Sequence, residues 1–414
     1  MVNNEPTLRV LSNGIRALHL ARSAPVSHIA FFLRAGSRFE SQNEKGLAHF
    51  LEHCLFKGTK TKKSLQILSS LDAVGGELNA YTAKEEMCIH ASFASKYTKR
   101  AVDLISDLLL CSTFPEKEIE KEKNVILDEI NAYLDNPFER IFDEFEERLF
   151  PSHALGANIL GDEESVASFN RDDLIRYLNN NLNPEEMVVA YAGDMEDEKF
   201  FLMLEKELHS IPPSVSLGNK KFIPVTEYKF FSVQTEESNY QSHALIGGRA
   251  PSYRSEDRMP MSILMNYLGG PALNARLALT IREKYGYSYN IEAGYNPFFD
   301  TGYWYIYFGA DVQNVQKCIL LIHKELENLC NKALSPARLT NIKRQLKGQL
   351  ALGMDSNNGL MMSYAKGLLL LGKIETFDET CVAIDKVTTD DLNRVSQTYL
   401  ATALRSMLVF NPST

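Results

Sequence analysis

The stretch Ser27-His-Ile-Ala-Phe-Phe-Leu-Arg-Ala-Gly-Ser37 recurs 215 residues later as Ser242-His-Ala-Leu-Ile-Gly-Gly-Arg-Ala-Pro-Ser252, with five identical residues. Each copy reads as an apolar strand that enters a polar turn, and a helical pattern follows each turn, at 43–57 and at 259–268. A shared order of strand, turn and helix at a fixed offset is typical of an internal duplication. The sequence therefore predicts two homologous domains.

A segment rich in proline, serine and glycine separates the two copies, Ile211-Pro-Pro-Ser-Val-Ser-Leu-Gly-Asn219. We expect a first domain at 1–212, a linker at 213–224 and a second domain at 225–414. In each domain, predicted strands precede and follow long helices instead of alternating with them. This order favours an α+β fold, in which each domain is a mostly antiparallel sheet with helices packed on one face.

Composition excludes several classes of protein. The chain has 414 residues, 44% of them hydrophobic, which is enough to bury substantial cores. Its net charge of −9 offers no general attraction to phosphates, so we expect no nucleic-acid partner. Apolar runs such as 367–372 are far shorter than the ~20 residues of a membrane span, so we expect no membrane association.

Two further features bear on the cellular compartment. The segment Met1–Pro6 has neither a basic region nor an apolar region of the kind found in secretory signals, so we expect a cytoplasmic protein. The six cysteines are dispersed and form no Cys-x-x-Cys pattern. We interpret them as small buried side chains and predict neither disulfides nor a thiolate metal site.

The segment 43–58 predicts an amphipathic helix with Asn43 as its N-cap and Gly58 as its end. At ~100° per residue, His49, Glu52 and His53 share the side opposite the apolar stripe. His-x-x-Glu-His is the reverse of the zinc motif His-Glu-x-x-His, in which two histidines hold the metal and the glutamate is the general base. The alternative is a solvated helix face that happens to hold two histidines.

A third metal ligand has two candidates on a later helix, predicted at 116–133. Glu122 and Glu129 both interrupt the apolar stripe formed by Ile119, Ile126 and Tyr133. A carboxylate on such a stripe is costly unless it is paired or bound to metal. The two lie ~10 Å apart along the helix, so one would be a ligand and the other a supporting group. A charged surface helix with a different buried face is the alternative.

Several motifs together resemble the inverted-zincin peptidases of the pitrilysin type, and most closely the mitochondrial processing peptidases and their bacterial relatives. They occur in family order over most of the chain: 46–59 with His49, Glu52 and His53, 75–82 (Gly-Gly-Glu-Leu-Asn-Ala-Tyr-Thr), Glu122 with Glu129, 154–161 (Ala-Leu-Gly-Ala-Asn-Ile-Leu-Gly), and 279–289 with Arg282 and Tyr289. The resemblance implies that Glu129 is the third zinc ligand and Glu122 its supporting carboxylate.

The resemblance also implies substrate-binding residues. Asn79 and Ala80 would lie on an edge strand that pairs with an extended peptide, although an ordinary polar strand end is the alternative. Glu139 and Asp143 would receive a basic side chain near the cleaved bond. A merely solvated face is the alternative for this acidic helix.

The family further implies that a second chain completes the active chamber. We expect a homodimer in which Arg282 and Tyr289 of one chain serve the zinc site of the other. At offset 215 the motif positions hold Leu264, Tyr267 and Leu268, so we expect one Zn²⁺ per chain. The chain departs from the noncatalytic processing-peptidase subunit, because in place of its long glycine-rich loop only Gly269-Gly270 remains. A role in guiding presequences is therefore in doubt.

The sequence thus predicts a zinc-dependent endopeptidase or oligopeptidase of extended peptides, with a preference for a basic residue near the cleaved bond. Glu52 would be the general base, while Arg282 and Tyr289 would bind the substrate backbone and the charge of the tetrahedral intermediate. The competing interpretation is a noncatalytic partner or scaffold subunit. Such subunits usually lack a ligand, and the complete motif here favours an enzyme.

Overall fold

The computed structural model describes residues 5–213, 222–225 and 228–413. Residues 214–221 of the predicted linker lie outside this range. The strands, in chain order, are β1 (Thr7–Val10), β2 (Arg16–Ala21), β3 (Val26–Leu33), β4 (Glu77–Thr82), β5 (Met87–Ala94), β6 (Met187–Gly193), β7 (Ser232–Glu237), β8 (Ser242–Arg249), β9 (Ser288–Pro297), β10 (Gly302–Ala310) and β11 (Ser406–Pro412).

Helices occur between and after these strands in both halves of the sequence. They are α1 (Leu47–Leu55), α2 (Ser64–Asp72), α3 (Thr98–Cys111), α4 (Glu116–Leu134), α5 (Pro137–Leu149), α6 (Glu163–Ser168), α7 (Arg171–Asn181), α8 (Asp197–Leu208), α9 (Arg258–Gly269), α10 (Val312–Asn331), α11 (Pro336–Gly353), α12 (Asn357–Leu371), α13 (Phe377–Lys386) and α14 (Thr389–Tyr399).

The strands form two sheets with the same internal order. The first sheet runs β1-β2-β6-β3-β5-β4 and the second runs β7-β11-β8-β10-β9. Each contains one parallel pair, β2 with β6 and β7 with β11, while the other pairs are antiparallel. The repeated stretch forms the interior strands β3 and β8, which occupy equivalent places. The predicted α+β class with mostly antiparallel sheets is confirmed.

In the first sheet, both faces are covered. Ile29, Phe31 and Leu33 of β3 pack into the core shared with α1, α3 and α8. The alternate residues Ala30 and Phe32 pack into a separate core on the opposite face. That second core is completed by one face of α12, through Leu360, Met361, Tyr364, Ala365, Leu368 and Leu369.

The second sheet repeats this arrangement with a helix from the first half of the sequence. Its second face carries Leu245, Tyr303, Tyr307, Leu408 and Phe410, and α5 covers it with Ile141, Phe145 and Leu149. Helices therefore lie on one face of each sheet, as expected, and one further helix lies on the other face.

The compact units differ from the contiguous domains expected at 1–212 and 225–414. One unit comprises 1–131, 157–221 and 353–375, and the other comprises 132–156, 222–352 and 376–414. The reason is that each sheet has a second apolar face, which a further helix must bury. Each sequence half supplies that cover to the sheet of the other half, through segments 132–156 and 353–375.

Polar contacts fix α12 on the first sheet. Arg16 Nη1 donates to the carbonyl oxygen of Leu368 at 2.6 Å, and Arg34 Nη2 donates to that of Leu369 at 2.6 Å. These carbonyls belong to the last turn of α12, where backbone acceptors lack the usual helical donors, although Leu368 also accepts from the N–H of Gly372 at 3.1 Å. Gly372 then ends α12 with φ 73°, a left-handed conformation that glycine adopts readily. Of the helices in the described ranges, none is long and apolar enough to cross a membrane.

We predict that Leu368→Ala lowers the free energy of unfolding by about 2–5 kcal/mol, because it leaves a cavity between α12 and the sheet. Leu368 is 1% exposed. The measurement is urea denaturation followed by circular dichroism. The matched control is Leu352→Ala at a leucine that is 80% exposed. Equal losses of unfolding free energy in the two variants would show that the packing of Leu368 against the first sheet does not stabilise the protein.

Candidate metal centre

Helix α1 begins later than expected. Asn43 is not its N-cap, since a short 3₁₀ turn occupies Gln42–Glu44 and the helix starts after Gly46. Gly46 has φ 88°, and a Cβ there would lie 2.6 Å from the carbonyl oxygen of Leu160, so a side chain is excluded. The carboxylate of Glu40 caps the helix instead, accepting from the backbone N–H of Gly46 at 3.0 Å and of Ala48 at 2.7 Å.

Helices α1 and α4 bring two imidazoles and one carboxylate together. Glu129 Oε2 lies 3.8 Å from His49 Nε2 and 3.6 Å from His53 Nε2. The donor atoms of the three side chains lie within 4.8 Å of one another. Among the residues that the structure describes, this is the group of histidine, cysteine and acidic side chains with the spacing of a metal site.

The donors fit zinc. Zinc–ligand bonds of about 2.0–2.1 Å at tetrahedral angles separate neighbouring ligand atoms by about 3.4 Å. The separations of 3.6 and 3.8 Å around Glu129 are close to this value. The side chain of Glu129 is 43% exposed, so one side of the group is open to solvent. Three protein ligands with an open side are the arrangement of catalytic zinc sites.

Glu122 supports one of the two imidazoles. His53 Nδ1 lies 2.9 Å from Glu122 Oε1, and because a carboxylate only accepts, Nδ1 donates; in the neutral imidazole this leaves Nε2, the nitrogen nearer Glu129, free to bind a metal. Lys57 Nζ lies 2.6 Å from Glu122 Oε2. The residue pattern alone did not show which of Glu122 and Glu129 would be the metal ligand. In the structure Glu129 lies beside both imidazoles, whereas the buried Glu122 lies behind His53.

Burial and charge shift the pKa values of the two histidines in opposite directions. Burial, followed by the charge of His53, lowers the pKa of His49 to about 4. His49 is therefore neutral near pH 7, as a metal ligand must be. Burial lowers the pKa of His53 as well, but the hydrogen bond with Glu122 and the charges of Glu129, Glu122 and Glu52 outweigh burial and raise it.

Glu52 projects beside this group and is held by strand β4. Thr82 Oγ1 donates to Glu52 Oε2 at 2.6 Å. Burial raises the pKa of Glu52, although the hydrogen bond from Thr82 and the charge of His53 act in the opposite direction. Sequence reasoning missed both Thr82 and Lys57. Both residues lie within motifs that carry the family resemblance, Lys57 in 46–59 and Thr82 in 75–82, but those motifs do not show which side chains the two residues contact.

Strand β4 is at the edge of the first sheet, as expected for Asn79 and Ala80. It pairs with β5 alone among the described strands, with Asn79 opposite His90 and Ala80 opposite Ile89. Asn79 is exposed and Ala80 is partly buried. The outer backbone groups of β4 are thus open to an added strand.

The remaining predicted site residues belong to the second unit. Glu139 is exposed on α5, and Asp143 on the same helix accepts a hydrogen bond from Tyr133. Arg282 Nε lies 2.9 Å from Glu283 Oε1, in a π-helical segment at Ala278–Glu283. Tyr289 is on β9 with 90% of its surface exposed. Their roles stay predictions.

The positions in the second repeat that correspond to the motif face the core. Leu264 and Leu268 on α9 are fully buried, and Tyr267 packs against the same core. These side chains offer no metal donors comparable to the two histidines of α1.

A duplicated α+β chain with His-x-x-Glu-His on its first helix and a glutamate from a later helix defines a metallopeptidase architecture. The family model described as Insulinase (Peptidase family M16) matches residues 17–163, and the model described as Peptidase M16 inactive domain matches residues 168–346. The chain belongs to peptidase family M16. The resemblance drawn from the sequence motifs is confirmed.

Known relatives cover nearly the whole chain. The uncharacterized zinc protease YmxG of Bacillus subtilis is 32% identical over 97% of this chain and 97% of its own length. The mitochondrial-processing peptidase subunit beta of Bos taurus is 27% identical over 97% of this chain and 83% of its own. A crystal structure of a protease from Helicobacter pylori shares the fold, with a TM-score of 0.88 at 18% identity, covering 99% of this chain and 100% of that one.

We predict that Glu129→Gln weakens zinc binding by more than about 100-fold, since the loss of a supporting group alone typically costs 10–100-fold. The measurement is a competition titration against a chelator of known zinc affinity. Glu120→Gln, an exposed glutamate on the same helix, is the matched control and should bind zinc like the wild type. Similar affinities for the two variants would contradict Glu129 as a ligand.

Proposed function

We propose that the chain is a zinc-dependent endopeptidase or oligopeptidase that hydrolyses extended peptides. The observation that carries this proposal is the donor group of His49, His53 and Glu129, with Glu52 beside it. Membership of family M16 supports the same chemistry. The complete donor group argues against a noncatalytic scaffold subunit, for which it would have no use.

Each residue of the group has a distinct role in the proposal. His49, His53 and Glu129 hold one Zn²⁺ per chain, and Glu122 fixes the tautomer and orientation of His53. Bound zinc supplies a Lewis acid, which lowers the pKa of coordinated water and polarises the peptide carbonyl. The matching of residues 168–346 to an inactive domain supports a single metal site in the chain.

Glu52 carries the proton through the reaction. The water oxygen bonds to the carbonyl carbon while the π electrons of the C=O bond move onto the carbonyl oxygen, and Glu52 accepts the proton that the water oxygen gives up. When the carbon–nitrogen bond breaks, Glu52 delivers that proton to the leaving nitrogen, so the carboxylate is regenerated. Burial raises the pKa of Glu52, and a raised pKa suits a group that first accepts and then delivers a proton.

The free edge of β4 supports binding of an extended peptide. A substrate strand could add beside Asn79 and Ala80 through main-chain hydrogen bonds, which makes binding depend on backbone conformation more than on side chains. Glu139 and Asp143 are the proposed receptors for a basic side chain. We also propose that two copies of the chain form a homodimer that encloses the active chamber. In it, Arg282 and Tyr289 of each chain would act on the partner's zinc site.

We predict that Glu52→Gln retains zinc but loses at least about 100-fold in kcat, because the amide cannot take up a proton. Zinc content is measured after gel filtration, and turnover is measured with a quenched fluorescent peptide. In the wild-type protein, a chelator should abolish cleavage and added zinc should restore it. Full turnover by zinc-loaded Glu52→Gln would dismiss Glu52 as the base.

The action of Arg282 across a dimer can be tested by mixing two inactive variants, Glu52→Gln and Arg282→Ala. If Arg282 serves the partner's site, each mixed dimer has one intact site, and random exchange restores about a quarter of wild-type activity. The measurement is peptide cleavage after co-refolding or co-expression, with each variant alone as the control. If mixing restores no activity although mixed dimers form, Arg282 acts within its own chain.

A further inference from the structure

We infer that Thr82 is a positioning residue, which locks the carboxylate of Glu52 to the strand that receives the peptide. The inference rests on the proposed function, because it assigns Thr82 a task in that reaction. Thr82 is the last residue of β4, and its hydroxyl donates to Glu52 Oε2 at 2.6 Å. A distance in this range is typical of strong hydrogen bonds to a carboxylate.

Thr82 and Ala80 lie on the same face of β4, because side chains alternate along a strand. The contact therefore ties the proposed base to the strand against which the substrate backbone would align. A carboxylate on a flexible side chain has several rotamers of similar energy, and one short hydrogen bond to a fixed donor selects among them.

The donor is fixed because the β4–β5 hairpin is anchored just beyond Thr82. Ala83 N–H donates to the carbonyl oxygen of Glu86 at 2.8 Å and closes the turn. On the outside of the turn, the backbone N–H of Ser37 donates to Ala83 at 3.3 Å, and that of Arg38 donates to Lys84 at 2.8 Å. A neighbouring segment thus holds the turn by its own main chain.

Buried ionic contacts strengthen this anchoring. The turn residues Lys84, Glu85 and Glu86 are 8%, 3% and 2% exposed, which is rare for charged side chains. Arg38 Nη1 lies 2.6 Å from Glu85 Oε1, and Lys366 Nζ of α12 lies 2.5 Å from Glu86 Oε1. Loss of Arg38 or Lys366 as a partner would leave the buried carboxylate of Glu85 or Glu86 unpaired, which is costly, so these contacts resist movement of the turn.

The helix that carries Glu52 is held by the same neighbouring segment. Glu40, two residues after Arg38, caps the N-terminus of α1 through Gly46 and Ala48. Segment 36–40 therefore connects the hairpin to α1 independently of Thr82. Removing the hydroxyl should leave this framework intact and release only the carboxylate.

The experiment compares Thr82→Val, which keeps the shape but lacks the hydroxyl, with Thr82→Ser, which keeps the hydroxyl. We expect Thr82→Val to lose about 10–100-fold in kcat with an unchanged KM, because a carboxylate displaced by ~1 Å costs rate without weakening peptide binding. Thr82→Ser, which keeps the hydroxyl, should retain most of the wild-type kcat. Zinc affinity should match the wild type in both variants, since the hydroxyl of Thr82 donates to Glu52, which is not one of the three donors.

Ser92→Ala is the matched control, because it removes a hydroxyl from the adjacent strand β5 that bonds His28 instead of Glu52. It should keep wild-type kcat. If Thr82→Val does not fold, Thr82→Ala replaces it. An unchanged kcat without the hydroxyl, or a loss that Thr82→Ser does not reverse, overturns the inference.

A failure of the proposed function is distinguishable from a failure of this inference. A zinc-loaded wild-type protein that cleaves no peptide would refute the function. In that case crystal structures of wild type and Thr82→Val decide the matter, since a Glu52 carboxylate in the same position in both would overturn the positioning role.

Discussion

The architecture depends on the apolar character of both faces of the interior strands. In β3, Ile29, Phe31 and Leu33 face one core while Ala30 and Phe32 face another, so a single layer of helices cannot remove the strand from water. Each fully buried large apolar side chain contributes about 1.5–3 kcal/mol, so an uncovered face would be costly. Helix α12 provides the missing cover for the first sheet and α5 provides it for the second. Neither half of the sequence contains the whole covering of its own sheet.

In the candidate metal centre, one helix holds two histidines whose pKa values are shifted in opposite directions. His49 and His53 are one turn apart on α1, yet burial dominates at His49, while Glu122 and its neighbours dominate at His53. Burial raises the pKa of Glu122, but its hydrogen bonds with His53 and Lys57 and the charges of these two residues outweigh burial and lower it. The donor group is thus supported from α1 and α4 together, and Thr82 of the edge strand holds the neighbouring Glu52.

Much of this could be predicted from local sequence patterns. The repeat identified two equivalent sheets, and the stripe on α4 correctly marked Glu122 as buried beside Ile119 and Ile126. The exchange of α5 and α12 could not be predicted, because periodicity shows that a helix has an apolar face but not which sheet it covers. The cap of α1 was misassigned to Asn43 for a similar reason: Glu40 acts from outside the helix, and only the left-handed Gly46 reveals the break. The role of Thr82 was missed because its contact with Glu52 joins residues thirty positions apart, with α2 between them, and local patterns do not show which distant side chains meet.

The late position of α12 has a consequence for biosynthesis. The last strand of the first sheet ends at Gly193, whereas the helix that covers its second face ends at Leu371. At ribosomal speeds of about 5–20 residues per second, roughly 10–40 s separate the emergence of the two. During that interval the second face of the first sheet, which includes Ala30 and Phe32, lacks its cover, and transiently exposed apolar surface of this kind makes a nascent chain prone to aggregation.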